Sequence, residues 1–137
     1  EFRDGNTRIP IPQKYQKINT VPIKPVHFEP IIEGMEQAVS MGTATQAIIS
    51  DITICGKTGT SQNAGKDHSI FFAFAPKENP QIAIAVYIEN GGFGGSIAAP
   101  TASLVIEKYL KKEIRGDRRK WLEKRMLETN LVNPTEP

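Results

Sequence analysis

The run Gly56–Lys57–Thr58–Gly59–Thr60–Ser61 is the stretch of this 137-residue chain whose residue types and spacing suit chemistry. Two chemistries use Gly-Lys-Thr. A phosphate-binding loop ends in it, but needs a glycine five positions before Gly56, where Asp51 stands. It also needs a helix to start at once, and Gly59 interrupts that start. The nucleotide reading is excluded. The other chemistry is carboxylate recognition at a strand edge. Side chains alternate along a strand, so Lys57 and Gly59 face one way and Thr58 and Thr60 the other. Free backbone N–H groups pair with an extended peptide laid alongside. Glycine lets that peptide approach closely, and a cation with two hydroxyls holds its terminal carboxylate.

The surrounding sequence supplies elements to carry such an edge. Ile52, Ile54 and Gly56 alternate with Thr53, Cys55 and Lys57, a strand period. Ser69–Ala75 is a continuous apolar run, as expected of a strand buried on both faces. Ile82, Ile84, Val86 and Ile88 alternate with Ala83, Ala85 and Tyr87. The bulky set should line one face, and the small set should admit a helix on the other. Pro76–Pro80 suits a hairpin link between the last two strands.

Helices should flank the sheet. Pro30 fits a first helical position, with Ile31, Met35 and Ala38 recurring opposite Glu33 and Glu36 and a stop near Met41–Gly42. After a glycine-rich turn, Asn90–Gly95, a second helix has Ala102, Val105, Ile106 and Tyr109 as its apolar stripe. Lys108, Lys111 and Lys112 complement its C-terminal dipole. Residues 115–129 suit a short basic helix with Trp121, Leu122 and Met126 as apolar contacts. The first 28 residues carry Pro10, Pro12, Pro22 and Pro25 and predict loops, with one strand around Gln13–Asn19. The chain therefore divides into a Pro-rich segment 1–28, a body 29–112 and a basic tail 113–137. Helix, three antiparallel strands and helix make an α+β fold.

Composition narrows the function. A net charge of +2 gives no strong pull on nucleic acid, although residues 111–125 gather eight Lys or Arg against three acids. That stretch reads as a solvated helix face. One cysteine, Cys55, permits no intrachain disulfide, and it reads as a buried, inert thiol. Asp67–His68 opens a strand with no nucleophile beside it, so a structural hydrogen-bonding role is expected. Asn90–Gly95 has the look of a phosphate nest, and a mobile lip is the simpler reading. Glu1 and Phe2 do not read as a natural start, so the chain is expected to be a piece of something longer.

Lys-Thr-Gly is also an element of the serine acyl-transferases that recognise penicillin. The run Cys55–Asn63, then Asp67–Pro76, then Gln81–Gly95 resembles the penicillin-binding protein 2 family, the elongation transpeptidases of bacterial cell walls. His27–Ala44 resembles the helix and Gly-Thr-Ala turn that precede the strand there. The resemblance covers residues 25–112 and, more loosely, the tail to Asn133. It implies that Lys57 contacts the serine of a Ser-x-Asn element and gives the cleft positive potential. Thr58 and Thr60, beside Gly59, would bind the carboxylate of a D-Ala-D-Ala stem peptide or of a β-lactam. The Thr60 N–H would be half of an oxyanion hole, and losing one such donor typically costs roughly a hundredfold in rate. No metal or organic cofactor is implied. The parent would be a membrane-tethered enzyme on the periplasmic side of the inner membrane, completed by its own N-terminal part.

The departures are equally specific. The family's nucleophile lies in Ser-x-x-Lys. Ser40, Ser50, Ser61, Ser69, Ser96 and Ser103 are followed three positions on by Thr43, Thr53, Ala64, Phe72, Ala99 and Ile106. Ser61–Gln62–Asn63 spells Ser-x-Asn, but on the same segment as Lys57, so it is read as coincidence. The nucleophile and general base lie outside this chain. Two other readings stay open, a β-lactam hydrolase or sensor of the same superfamily and a non-catalytic peptide-binding module. The isolated chain is expected to keep its unmodified mass after incubation with penicillin. A stoichiometric adduct on any serine, seen by mass spectrometry, overturns that expectation.

Overall fold

The computed structural model describes residues 2–4, 7–10, 12–17 and 20–131. Strands β1 (Phe2–Asp4) and β2 (Thr7–Ile9) form a small antiparallel hairpin of their own. Gln13–Tyr15 is a 3-10 turn and not the expected strand, and Ile18 and Asn19 lie outside the described residues. Pro12 fixes the φ of the residue that enters that turn and has no N–H to give a ladder.

Helix α1 (Glu29–Ser40) leads to a three-stranded antiparallel sheet in the order β3 (Cys55–Ser61), β4 (His68–Ala75), β5 (Ile82–Ile88). Helices α2 (Ala98–Lys111) and α3 (Asp117–Glu128) follow. The α+β order and the three strands match the sequence expectation. The faces differ from it in two places. Ser69, Phe71, Ala73 and Ala75 of β4 are buried, whereas Phe72 is 46% exposed, so this strand is buried on one face only. On β5 the bulky Ile82, Ile84, Val86 and Ile88 pack on the core, and Ala83, Ala85 and Tyr87 are exposed. The helix meets the bulky face because α2 brings the small residues itself, with Ala98, Ala99 and Ala102 fully buried.

The core of this layer is Phe71, Ala73, Ala98, Ala102, Ile106 and their neighbours, closed at one end by Val39 of α1. Gly56 is part of its geometry: a Cβ there would lie 2.4 Å from the tip of the Phe71 ring. The helix stripes shift from the expected ones. On α1, Ile31 is exposed and Val39 buried, and Glu36 turns inward to an ion pair with Lys77. On α2, Val105 and Tyr109 are about half exposed, while Ser103 and Glu107 are buried. Trp121 of α3 is also exposed, and Arg125 stacks over its ring.

Glu107 explains why the basic tail is not wholly a solvated face. Its carboxylate, 1% exposed, accepts from Arg119 Nε at 2.7 Å and from the Arg115 N–H at 3.4 Å, with Lys111 Nζ at 3.7 Å. Arg119 Nη1 also donates to Ser103 Oγ at 3.0 Å. A buried carboxylate survives only when so surrounded, and this cluster fastens α3 onto α2.

The outer edge of β5 has no hydrogen-bonded neighbour among the described residues, because the β1–β2 hairpin stands apart from this sheet. The described residues of the 1–28 segment therefore do not cap it. A bare apolar edge is a template for pairing, so the isolated chain is expected to associate. Light scattering should give a mass above the monomer, lowered by Ala85→Lys. A monomeric mass across the accessible concentrations overturns this.

Candidate functional site

Lys57, Thr58, Gly59 and Thr60 all lie on β3, which is an edge strand. The register sets Lys57 opposite Phe72, Thr58 opposite Phe71, Gly59 opposite Ile70 and Thr60 opposite Ser69. Alternation therefore puts Lys57 on the open face, with Phe72, and Thr58 and Thr60 on the face that carries the core. Lys57 is exposed, and its Nζ donates to Thr58 O at 2.7 Å.

The backbone direction of the strand can be followed from its neighbours. Just before β3, Thr53 O accepts from Lys77 N at 3.0 Å, on the β4 side. Successive residues of an antiparallel ladder point their N–H and C=O to opposite edges. Gly59 N, Gly59 O and Ile70 O all lie within 3.1 Å of the place a Gly94 Cβ would take, so Gly59 faces its partner Ile70 on β4 and the backbone groups of Thr58 and Thr60 face the unpaired edge. The Lys57 contact to Thr58 O agrees with that. The four residues thus offer one ammonium, two hydroxyls and outward N–H groups along a single open edge.

Two further segments shape this edge, both noted in the sequence but neither for the contacts it makes here. Thr43, just after α1, places its Oγ1 2.7 Å from Thr58 Oγ1. It lies in the Gly-Thr-Ala turn, but nothing in its spacing from Thr58 announces the contact. The other segment is the glycine-rich loop. A Cβ on Gly94 would lie 2.2 Å from Ile70 O and 2.5 Å from Gly59 O, so the loop backbone rests directly on the β3–β4 ladder. A Cβ on Gly95 would lie 2.2 Å from Thr43 O. Only glycine permits both approaches.

That loop is tied to the residues that open β4. Its Asn90 N–H donates to His68 Nδ1 at 3.0 Å and its Gly92 N–H to Asp67 O at 2.8 Å, so neither is available to an anion. Asp67 and His68 serve different partners: the Asp67 carboxylate accepts from the Asn63 N–H at 3.4 Å. Asn63 Oδ1 in turn accepts from the Ala64 N–H at 2.8 Å, which occupies the side chain of the formal Ser-x-Asn within its own turn. Among the described residues no group of three His, Cys, Asp or Glu could hold a metal ion, and no helix is long and apolar enough to cross a membrane.

The family profile of the penicillin binding protein transpeptidase domain matches residues 4–107. The chain belongs to the penicillin-binding protein transpeptidase domain family. A peptidoglycan D,D-transpeptidase MrdA from Haemophilus influenzae is 34% identical over 122 residues, covering 75% of this chain and 18% of that protein. The peptidoglycan D,D-transpeptidase PbpA of Mycobacterium tuberculosis is 40% identical over 76 residues, covering 47% of this chain and 15% of that protein. Among solved structures, Pseudomonas aeruginosa PBP2 in complex with WCK 5153 superimposes with a TM-score of 0.60 and 40% identity, covering 66% of this chain and 20% of that one. An imipenem acyl-enzyme complex of penicillin-binding protein A from M. tuberculosis gives a TM-score of 0.57 and 32% identity, covering 64% of this chain and 20% of that one. The chain thus spans less than a fifth of the length of these curated relatives.

Cys55 stands two residues before Lys57 and is fully buried, and burial pushes its thiol pKa up from the ordinary value. The thiol is therefore neutral at pH 7 and inert. A thiol held protonated favours the folded state below the unfolded pKa, and that stability is lost as the pH climbs toward the raised folded value. Iodoacetamide at pH 8 should label Cys55 in urea and spare it in the native chain. Equal rates in the two conditions overturn the assignment.

Proposed function

We propose that this chain forms the Lys-Thr-Gly wall of a peptidoglycan D,D-transpeptidase, the enzyme class that cross-links cell-wall stem peptides and is acylated by β-lactams. The observation that carries the reading is the open edge of β3, where Lys57, Thr58 and Thr60 converge with Thr43 behind Thr58. In this reading an extended D-Ala-D-Ala stem lies along that edge, and its terminal carboxylate is held by the Thr58 and Thr60 hydroxyls. Lys57 supplies positive potential and orients the hydroxyl of a Ser-x-Asn serine contributed from elsewhere in the protein. The Thr60 N–H, facing the same edge, stabilises the oxygen of the tetrahedral intermediate.

The nucleophilic serine comes from the part of the protein beyond this chain. It attacks the penultimate D-Ala carbonyl and expels the terminal D-Ala. An acceptor amine then attacks the acyl-enzyme and restores the serine. With a β-lactam the ring amide opens and the ester persists. None of these steps calls on a metal or an organic cofactor. The relatives' role in wall synthesis supports a location on the periplasmic side of the bacterial inner membrane, with the whole protein tethered there.

The test is made in the whole protein that carries this segment. Lys57→Ala should lower acylation by a fluorescent penicillin roughly a hundredfold, while stability changes by no more than about 0.5 kcal/mol. Lys57→Arg should also be impaired, because a planar guanidinium does not replace a compact ammonium among closely set hydroxyls. Parent-like acylation in both variants overturns the reading. A rapid loss of the acyl-enzyme to water would instead favour a β-lactam hydrolase.

A further inference from the structure

The glycine-rich loop reaches the candidate site at two glycines, Gly95 beside Thr43 and Gly94 seated on the backbone at Gly59, between Thr58 and Thr60 in sequence. That seat has no slack: the Cβ test distances of 2.2 and 2.5 Å show backbone against backbone. A loop so placed acts as a backstop. If it lifts, Gly59 and the two threonines beside it lose their support on the core face.

What holds the loop down is a run of three consecutive residues at the start of β4. Asp67 O accepts from the Gly92 N–H at 2.8 Å. His68 Nδ1 accepts from the Asn90 N–H at 3.0 Å, and its ring lies against Tyr87 with centroids 5.4 Å apart. Ser69, fully buried, donates through Oγ to Phe93 O at 3.0 Å and accepts from the Ala98 N–H at 3.1 Å. One hydroxyl thus ties the loop to the first residue of α2. Asn90 and Gly92 both have positive φ, at 57° and 72°, a region that asparagine and glycine tolerate better than other residues. The bonds from Asp67, His68 and Ser69 maintain the loop's shape. Ser69 also stands directly opposite Thr60 in the ladder. The clamp and the substrate-facing strand therefore share a residue pair.

We propose that His68 and Ser69 are positioning residues of this site: they clamp loop 90–97 onto β3 and so fix the places of Thr58 and Thr60. The proposal deepens the transpeptidase reading and rests on it. Neither residue touches the substrate. His68 acts as a hydrogen-bond acceptor at Nδ1, not as a general base, because that nitrogen's lone pair is committed to Asn90.

Four variants of the whole protein test this, each followed by fluorescent-penicillin acylation over a range of concentrations and by thermal melting. His68→Phe keeps a ring against Tyr87 and removes the acceptor. His68→Asn restores an acceptor close to the position of Nδ1. Misplacing a binding group costs rate steeply, so His68→Phe should lower the second-order acylation constant about tenfold, with His68→Asn within about twofold of the parent. Both should melt close together, since both lose the same imidazole. Ser69→Ala, which deletes both bonds, should repeat the fall of His68→Phe, and it carries the test alone if His68→Phe does not fold. Parent-like acylation in His68→Phe or in Ser69→Ala overturns the clamp, as does a fall of equal size in His68→Phe and His68→Asn. Lys57→Ala separates the two levels. If it acylates like the parent, the site reading itself fails. If it loses acylation while the clamp variants keep theirs, only the clamp fails.

Discussion

The contact between Phe71 and Gly56 underlies the rest of this structure. Phe71 is the largest fully buried side chain among the described residues, and the tip of its ring fills the space that any side chain at position 56 would need. Truncating a buried phenylalanine costs about 3–5 kcal/mol in general. Here the contact also has a geometric consequence. A one-residue slip of β3 would bring a side chain against that ring and turn Lys57 toward the core. Burial of one aromatic ring thus selects the register that sets the two threonines and the lysine on their proper faces.

Much of this was legible beforehand. Period-two alternation located β3 and β5 and a continuous apolar run located β4, while Pro30 with the Met41–Gly42 stop located α1, because these signals are local. What misled were inferences about which face a side chain meets. Ala83 and Ala85 look like room for a helix, yet α2 carries its own alanines and packs on the isoleucines instead. Glu36 looks like a solvent-facing charge, yet it pairs with Lys77, 41 residues away in sequence, and the buried Glu107 pairs with Arg119, 12 residues away. Pairings at such separations leave no mark on periodicity.

The candidate site divides along the same line. Lys57, Thr58, Gly59 and Thr60 could be named because they are contiguous and a strand explains their alternation. Thr43 could not, since its meeting with Thr58 depends on how α1 ends beside β3. The grip of His68 and Ser69 on the glycine-rich loop was equally hidden. The hydrogen-bonding role expected of Asp67–His68 agrees with the structure, but that its two side chains bind two different loops was not legible. Types of residue were informative; their partners were set by the fold.

The ion pair between Glu36 and Lys77 gives the site a sensitivity to its surroundings. The two side chains are 28% and 35% exposed, for Lys77 and Glu36 respectively, so dissolved electrolyte reaches them. They join α1 to the link that follows β4, and Thr43 sits three residues past the end of that helix. A pair of this exposure contributes no more than about 1 kcal/mol, and less as the ionic strength rises. The turn whose Thr43 meets the Thr58 hydroxyl therefore follows a helix that is packed on the core through Val39 and has one further anchor that weakens as salt rises. A chain built this way carries the ionic strength around it into the placement of a single hydroxyl.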